Sequence, residues 1–472
     1  MPLTTPDDGG GRAFDFRKRP RAIVLDGEGV HHPVTSRGRG HAFTRYQDIT
    51  HLAVSPPCLW LGTRRSAYAF ARSAFADPLG PERAWRALLE QIAVRPGGGA
   101  QLARINELDA RAQEVAPPRA TLGLAVLCLV IFALETLTGL PIFDAGYMSL
   151  ALVRDGDLHR IVTANLIHGF WLHLFFNLAC LLAVGRMLER TIGSERVLCV
   201  MGASALGAMA ASSWWRDDAS VVGVSGVVFG LAAGLLWIEL RCAEALPAFW
   251  RFPRRTLIWI CGALLLDSLL GFVIPIVAGE AHLGGFAAGL AATALVTPRS
   301  LPPASRAVHL AGQCVLAITG LGVLTGALML AAPGDFQTRH ALRVAKLPGV
   351  SPEELNNRAW LLATRPDPTA EQLSVAHRLA ERAVEATERR DATILDTLAE
   401  VEFQLGHRDA ALAIIDEAIA REPDEHYYRE QRRRFLGERA PDDRPEPPLP
   451  VLPWGRPPER EEPEAADEGI TV

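Results

Sequence analysis

The sequence predicts a mainly α-helical protein built on a polytopic membrane bundle of seven helices, with a small α+β domain before the bundle and a helical-repeat domain after it. Three observations carry that expectation. Residues 120–332 form a succession of apolar runs, each near the ~20 residues that a bilayer core requires. The flanking regions are rich in Arg, Glu, Asp and Pro. Beyond the bundle, Ala376 and Ala383 recur as Ala411 and Ala418, an offset of 35 residues that fits a two-helix repeat.

Composition removes several classes of function. The 472 residues carry a formal net charge of -5, which leaves no broad basic field for nucleic acid, so no nucleic-acid partner is expected. Seven cysteines (Cys58, Cys128, Cys180, Cys199, Cys242, Cys261, Cys314) are scattered, mostly inside apolar runs and without CxxC spacing. They read as small buried hydrophobes, with no metal site, disulfide framework or cofactor implied. The first twenty residues hold no apolar core, so no cleavable signal peptide is expected and insertion falls to the first membrane helix.

In chain order, residues 1–19 read as a flexible N-terminus and 20–96 as a small soluble domain. Short β-rich runs (Ala22 to Leu25, Ile49 to Val54, Cys58 to Leu61, Ala67 to Phe70) precede one amphipathic helix, Glu82 to Val94, with Trp85, Leu88, Leu89 and Ile92 on its apolar face. Strands followed by one helix resemble bacterial pleckstrin-homology-like domains. His31, His32, His41 and His51 have no metal-ligand spacing and read as surface residues. Residues 97–119, with Gly97 to Gly99 and Pro117-Pro118, read as a linker.

The candidate spans are 120–139, about 162–184, 196–215, 221–240, 256–275, 280–297 and 309–332. With the N-terminus inside, the inside connections carry Arg104, Arg111, Arg119, Arg186, Arg190, Arg196, Arg241, Arg251, Arg254, Arg255, Arg299 and Arg306. The outside connections between spans carry only Arg154, Arg160 and Arg216, an asymmetry that places the N-terminal domain in the cytoplasm and the C-terminal region outside. The protein is therefore expected to be a multi-pass membrane protein in contact with lipid on most of its bundle.

After Pro333 the chain is polar again. Asn357 to Ala363 opens one helical unit and Leu395 to Leu405 a second, with Gly406 at a turn and Pro423 at an end. Residues 350–437 resemble about two tetratricopeptide repeats, a fold whose groove binds a peptide or protein partner. Two units are fewer than the three that such an array normally needs, so the trailing helix Glu425 to Leu436 is expected to complete the packing. Residues 438–472, rich in Pro, Glu and Asp, read as disordered.

Chemistry concentrates in three spans. The fourth opens Gly223-Val224-Ser225-Gly226 and continues with Gly230 and Gly234, small residues at a four-residue spacing that admit a partner helix. The sixth carries His282 followed by Gly285 and Gly289, three and seven residues on and so roughly on the same face. In the second, His173 and Asn177 share a face, and His168 lies near its start. Unpaired polar groups in hydrocarbon cost several kcal/mol, so this row is expected to face the bundle interior. Interhelical polar glue is the plainest reading of His173, as a back-bond to a helix carbonyl is for Ser225. Spans two, four and six run in the same direction, however, so His168, Ser225 and His282 lie at one depth. A water-accessible cavity open to the outside accounts for that coincidence.

The His168, His173, Asn177 row, Gly223-Val224-Ser225-Gly226, and Ala281-His282 with Gly285 and Gly289 together resemble the rhomboid intramembrane serine proteases over residues 120–297. Arg160, Glu189 and Gly193 match as well, whereas His159 and Phe229 stand where the family often has Trp and Tyr. The resemblance implies a rhomboid-type bundle of six core helices plus a seventh, spanning 120–332, and a serine endopeptidase acting on transmembrane protein substrates. It implies a dyad of Ser225 as nucleophile and His282 as general base and then acid. The oxyanion would be held by the Ser225 backbone N–H and the side chains of His168 and Asn177, with His173 and Gly223 supporting them. Asp267, the acid in the fifth span, reads as solvated or locally paired and is left outside the site. A zinc protease is excluded by spacing, since His168 and His173 lack an HExxH glutamate. The alternative is a catalytically silent member of the same superfamily that binds membrane clients; a transporter would need charged residues along a path through both halves of the bilayer. The bacterial cytoplasmic membrane is the expected location.

Overall fold

The computed structural model describes residues 12–17, 22–34, 40–64, 66–113, 116–215, 221–247, 250–251, 254–271 and 278–445. The segments 1–11 and 446–472, which include most of the expected flexible N-terminus and tail, lie outside the described residues.

Alternating side chains near the N-terminus build two antiparallel meanders. One runs in the order β1 (Arg12–Asp15), β2 (Ala22–Leu25), β3 (Gly29–Pro33), β4 (His41–Arg45), and the other β5 (Ile49–Val54), β6 (Cys58–Thr63), β7 (Ala67–Ala71). A bridge between Phe16 and Phe75 joins them, and helix α1 (Gly80–Ala93) lays Ala84, Leu88 and Ile92 into the shared core. Three expectations need correction. Residues 12–15, expected to be flexible, are a strand, because Phe16 just beyond them is buried. Most of the expected linker 97–119 is helix α2 (Gly98–Gln113), which buries Ile105 and Leu108 at helical spacing behind a misleading run of glycines. His32 and His51 are buried as well: His32 bonds the Pro33 carbonyl and the Thr44 hydroxyl, and burial pushes the His51 imidazole down to about 4.

The apolar region begins with α3 (Arg119–Thr138), whose first turn is capped from a distance: the buried Glu189 carboxylate accepts from the Ala120 and Thr121 amides and the Thr121 hydroxyl at 2.6–2.9 Å. Short helices α4 (Ile142–Gly146), α5 (Leu150–Arg154) and α6 (Arg160–Thr163) fold the following loop ahead of α7 (Trp171–Ile192). The second span therefore starts later than the expected 162. Asn165 donates its amide back to the Ile161 and Val162 carbonyls, and Phe170 is fully extended, so the apolar stretch before it is loop rather than helix. Next come α8 (Ser194–Trp215), α9 (Ser225–Arg241), α10 (Arg254–Leu270), α11 (Gly279–Val296) and α12 (Arg306–Ala331). Among the described residues α3, α7, α8 and α12 are long and apolar enough to cross a membrane by themselves. Helices α9 and α10 have 17 residues each, and α11 is diluted by Glu280, His282 and its glycines.

Glycine sets how these helices meet. A methyl group at Gly285 would lie 2.2 Å from the Gly226 carbonyl oxygen, one at Gly289 2.3 Å from the Gly230 Cα, and one at Gly284 2.3 Å from the Gly207 carbonyl oxygen. Helices α8, α9 and α11 thus touch backbone to backbone. The seventh helix runs the length of the bundle: Gly312 lies by Glu195 at the start of α8, and Gly322 by Val162 in α6.

The helices after the apolar region are α13 (Phe336–Val344), α14 (Pro352–Ala363), α15 (Ala370–Ala386), α16 (Ala392–Gln404), α17 (Arg408–Arg421) and α18 (His426–Phe435). Ala376, Ala383, Ala411 and Ala418, the repeated alanines, are all fully buried in this unit. It begins earlier than the expected residue 350, because His340, Ala341 and Val344 of α13 are buried within it. Tyr147, Ala151 and Leu152 of the loop before α7 share its core. Polar pairs fix the junction: Glu354 accepts from the Tyr147 and Ser149 hydroxyls, Arg358 pairs with Asp144, and Arg343 meets both Asp155 and Asp157. The N-terminal domain holds the other end of the bundle, where Arg251, paired with the buried Glu239 at 3.2 Å, donates to the Thr63 carbonyl, and Arg111 donates to the Ala245 carbonyl.

Within the C-terminal unit Asp396 accepts from the Tyr427 hydroxyl at 2.9 Å, yet burial pushes its carboxyl up to about 7. A carboxyl raised in the folded state favours folding while it is protonated, so this contribution is complete below about pH 4 and lost as pH rises through about 7. Amide-exchange protection of α16 and α18 in the intact protein, corrected for intrinsic rates, is expected to be greater at pH 5 than at pH 8. The Asp396→Asn protein should show no such difference.

Candidate active site

Ser225 is the first residue of α9 and is partly exposed, and His282 lies in the first turn of α11 and is buried. The glycine contacts described above bring these two helix starts together, and the His282 Nε2 lies 2.9 Å from the Ser225 Oγ. The ring is fixed from a second direction. Phe229, one turn into α9, stacks on it with centroids 4.2 Å apart and planes 16° from parallel. The phenyl ring thus fills the expected aromatic position without a hydroxyl.

The turn before Ser225 depends on one glycine. Gly223 has φ +113°, where a side chain would be strained. Its N–H donates to the Ala164 carbonyl at 2.8 Å, and a methyl group there would lie 2.9 Å from the His173 ring. Among the described residues the start of α9 has no side-chain cap, and its ladder opens with the Val228 N–H donating to the Val224 carbonyl at 3.1 Å. The amides of Ser225, Gly226 and Val227 therefore form an uncapped helix start of the kind that receives an anion.

The other residues expected at the site lie around Gly223 and along α7 and α11. His168 is buried in the loop before α7, with its ring 5.0 Å from that of His173. It lies near the Leu166 carbonyl, but neither ring nitrogen completes a hydrogen bond among the described residues. Asn177, also buried, donates from Nδ2 to the His173 carbonyl at 3.0 Å, so one amide hydrogen is already engaged along α7. Gly226, Gly285 and Gly289 act as packing positions at the helix contact. Arg160, almost fully buried, bonds Asp157 and the Asp144 and Tyr147 carbonyls and so ties down the loop that leads to His168.

One residue left outside the site by sequence reasoning lies against it. The Asp267 carboxylate of α10 is 2.7 Å from His282 Nδ1. The contact is an ion-pair approach out of line with the ring N–H, so among the described residues neither atom completes a hydrogen bond. The only signal in the sequence was an acid inside an apolar run.

A family model described as the rhomboid domain matches residues 155–299, the stretch that holds Ser225, His282 and their surroundings. The chain contains a rhomboid domain. Among its relatives, the rhomboid protease GluP of Bacillus subtilis is 26% identical over 313 residues, 65% of this chain and 55% of that protein. The rhomboid protease GlpG of Pectobacterium atrosepticum is 29% identical over 202 residues, 41% of this chain and 67% of the relative. RHOMBOID-like protein 5 of Arabidopsis thaliana is 28% identical over 203 residues, 38% of this chain and 62% of the relative. This chain thus spans 55% and 62% of the length of two of these proteins.

Because Gly285 faces the Gly226 backbone directly, Gly285→Leu is expected to pry α11 from α9 and part His282 from Ser225. Labelling by a serine-directed phosphonate in detergent should then fall at least ~10-fold in a protein that still inserts, and labelling at the wild-type rate would refute the packing argument.

Proposed function

We propose that this rhomboid-domain protein is an intramembrane serine endopeptidase that cleaves peptide bonds in or near the transmembrane segments of membrane-anchored proteins. The observation that carries the reading is the 2.9 Å contact between Ser225 Oγ and His282 Nε2 at the starts of two glycine-packed helices.

In this mechanism His282 Nε2 takes the hydroxyl proton as Ser225 Oγ attacks the scissile carbonyl carbon. The resulting oxyanion is received at the uncapped start of α9 by the Ser225 N–H, with His168 and the remaining Asn177 N–H as side-chain donors. Each such donor is worth ~3 kcal/mol in a site shielded from bulk water. The imidazolium then gives its proton to the departing amine as the C–N bond breaks, leaving an acyl ester on Ser225. Water, deprotonated by His282, cleaves the ester and restores the serine. His173, held against Gly223, supports the donor set.

The second reading is a catalytically silent rhomboid-like scaffold that binds membrane clients. Binding alone needs neither a serine hydroxyl nor an imidazole, and the joint presence of Ser225 and His282 at bonding distance favours the enzyme. The mouth of the site lies at the end of the bundle where the C-terminal helices dock, and we assign that end to the non-cytoplasmic side of a bacterial cytoplasmic membrane. The C-terminal helices, as tetratricopeptide-like repeats, would there hold a protein partner or the exposed part of a substrate.

Two measurements test these assignments. Ser225→Ala and His282→Ala are each expected to abolish cleavage of a model transmembrane substrate, and the double variant to be no worse than either, because the pair acts as a unit; appreciable cleavage by Ser225→Ala would leave the scaffold reading. Reporter fusions at Asp109 and Pro441 should report cytoplasmic and non-cytoplasmic locations respectively, and a cytoplasmic signal at Pro441 would invert the orientation.

A further inference from the structure

The His282 imidazole is constrained on three sides, and only two of them belong to a serine–histidine pair. Nε2 meets Ser225, and one face meets Phe229. Nδ1 is buried and completes no hydrogen bond among the described residues, and the group that faces it is the Asp267 carboxylate at 2.7 Å. A buried ring nitrogen chooses its proton by what stands opposite it. A carboxylate opposite Nδ1 accepts and cannot donate, so it favours the tautomer with hydrogen on Nδ1 and leaves the Nε2 lone pair toward the serine.

We infer that Asp267 is a positioning residue, holding His282 in the Nδ1-protonated tautomer with Nε2 presented to Ser225. The inference rests on the protease reading and adds a third group to the proposed pair. During attack the serine proton moves to Nε2, the Nδ1–H stays in place, and Asp267 remains ionised beside the imidazolium that forms. The carboxylate lies off the N–H line in the unliganded site; catalytic hydrogen bonds are often loose before substrate binds and tighten afterwards.

The approach of α10 to α11 has its own structural cause, which speaks against a chance contact on an outlying helix. Gly279 opens α11, and a methyl group there would lie 2.1 Å from the Ser268 carbonyl oxygen and 3.2 Å from the Gly271 Cα. The glycine lets the C-terminal turn of α10 lie directly on α11, beside His282. Elsewhere α10 presents Trp259, Leu265, Leu266 and Leu269 outward, so Asp267 is the one acid of a helix that is otherwise apolar after its first turn, Arg254 and Arg255. Its side chain as a whole is 47% exposed, while the oxygen that faces His282 is buried.

Two kinds of variant separate positioning from bulk structure, one acting on the carboxylate and one on the helix contact. A fully buried triad aspartate is worth ~10,000-fold. The half-exposed Asp267 is expected to give less, with Asp267→Asn lowering kcat roughly 10- to 100-fold while KM stays within about twofold. Asp267→Glu, which keeps the charge, should lie between Asn and wild type. Gly279→Val changes neither residue but should push α10 from α11 and reproduce the loss in kcat, and combined with Asp267→Asn it should add little further. All are measured on full-length protein in detergent or liposomes with a transmembrane substrate, and if Asp267→Asn does not accumulate, Asp267→Ser carries the same test. Wild-type kcat in the Asp267 variants, a change confined to KM, or a Glu variant no better than Asn would overturn the inference. Cleavage surviving Ser225→Ala would instead overturn the protease reading beneath it.

Discussion

Everything at the site depends on how closely two helices can approach. A hydroxyl and an imidazole meet at 2.9 Å because Gly285 and Gly289 lie against the backbone of Gly226 and Gly230. Between spanning helices the hydrophobic effect offers little, since lipid is as apolar as the side chains, so association rests on van der Waals contact and on the few hydrogen bonds that form. Removing the side chain from one row is then the direct way to gain contact area. The same helices are pressed from a third side by α8, where Gly207 and Gly284 repeat the device. Helix α11 is locked backbone to backbone against both α8 and α9, and Ser225 and His282 stand at one end of that base.

The polar groups around that base divide between holding and reacting. Glu189 is saturated by the start of α3, and Arg160 by the loop carbonyls and Asp157. These groups are fully engaged and have nothing left to offer a substrate. His168, the start of α9 and one N–H of Asn177 are different: they are buried or half-buried and retain hydrogen-bonding capacity. Because an unsatisfied buried polar group costs about 1–3 kcal/mol, such capacity gathered at one place is a price that structural packing alone does not explain. It is the pattern expected where charge develops during a reaction.

Much of this was legible in the sequence, for physical reasons. A glycine row repeats at helical spacing whatever surrounds it, and polar residues in an apolar run are few enough to be noticed. Ser225, His282, His168 and Asn177 stood out on that basis. What failed to show depended on tertiary context. The glycines at 97–99 looked like a linker, although the amphipathic residues after them form α2 and bury Ile105 and Leu108 against the N-terminal domain. The apolar residues from Ile161 to Ile167 looked like the start of a span, yet they form the end of the short helix α6 and the turn after it, and Thr163 to Ile167 are buried. Asp267 was visible as an acid, but its approach to His282 follows from Gly279 letting α10 settle on α11, a contact between helices that no local pattern encodes.

The N-terminal domain and the C-terminal helices hold opposite ends of this base, and the site feels them unequally. The N-terminal domain reaches the far end of α9 through Arg251, Glu239 and the Thr63 carbonyl, a helix length away from Ser225. The C-terminal helices are joined to the near end. Tyr147, Ala151 and Leu152 are part of their core, and Arg343 shares Asp157 with Arg160. The loop that carries His168 toward the site is therefore anchored on one side by the bundle and on the other by a domain that the six-helix core does not contain. A loop held by both has fewer conformations open to it than one held by the membrane helices alone, and the entropy lost is borne in folding rather than when substrate binds. On this argument the C-terminal helices act on the candidate site as a brace.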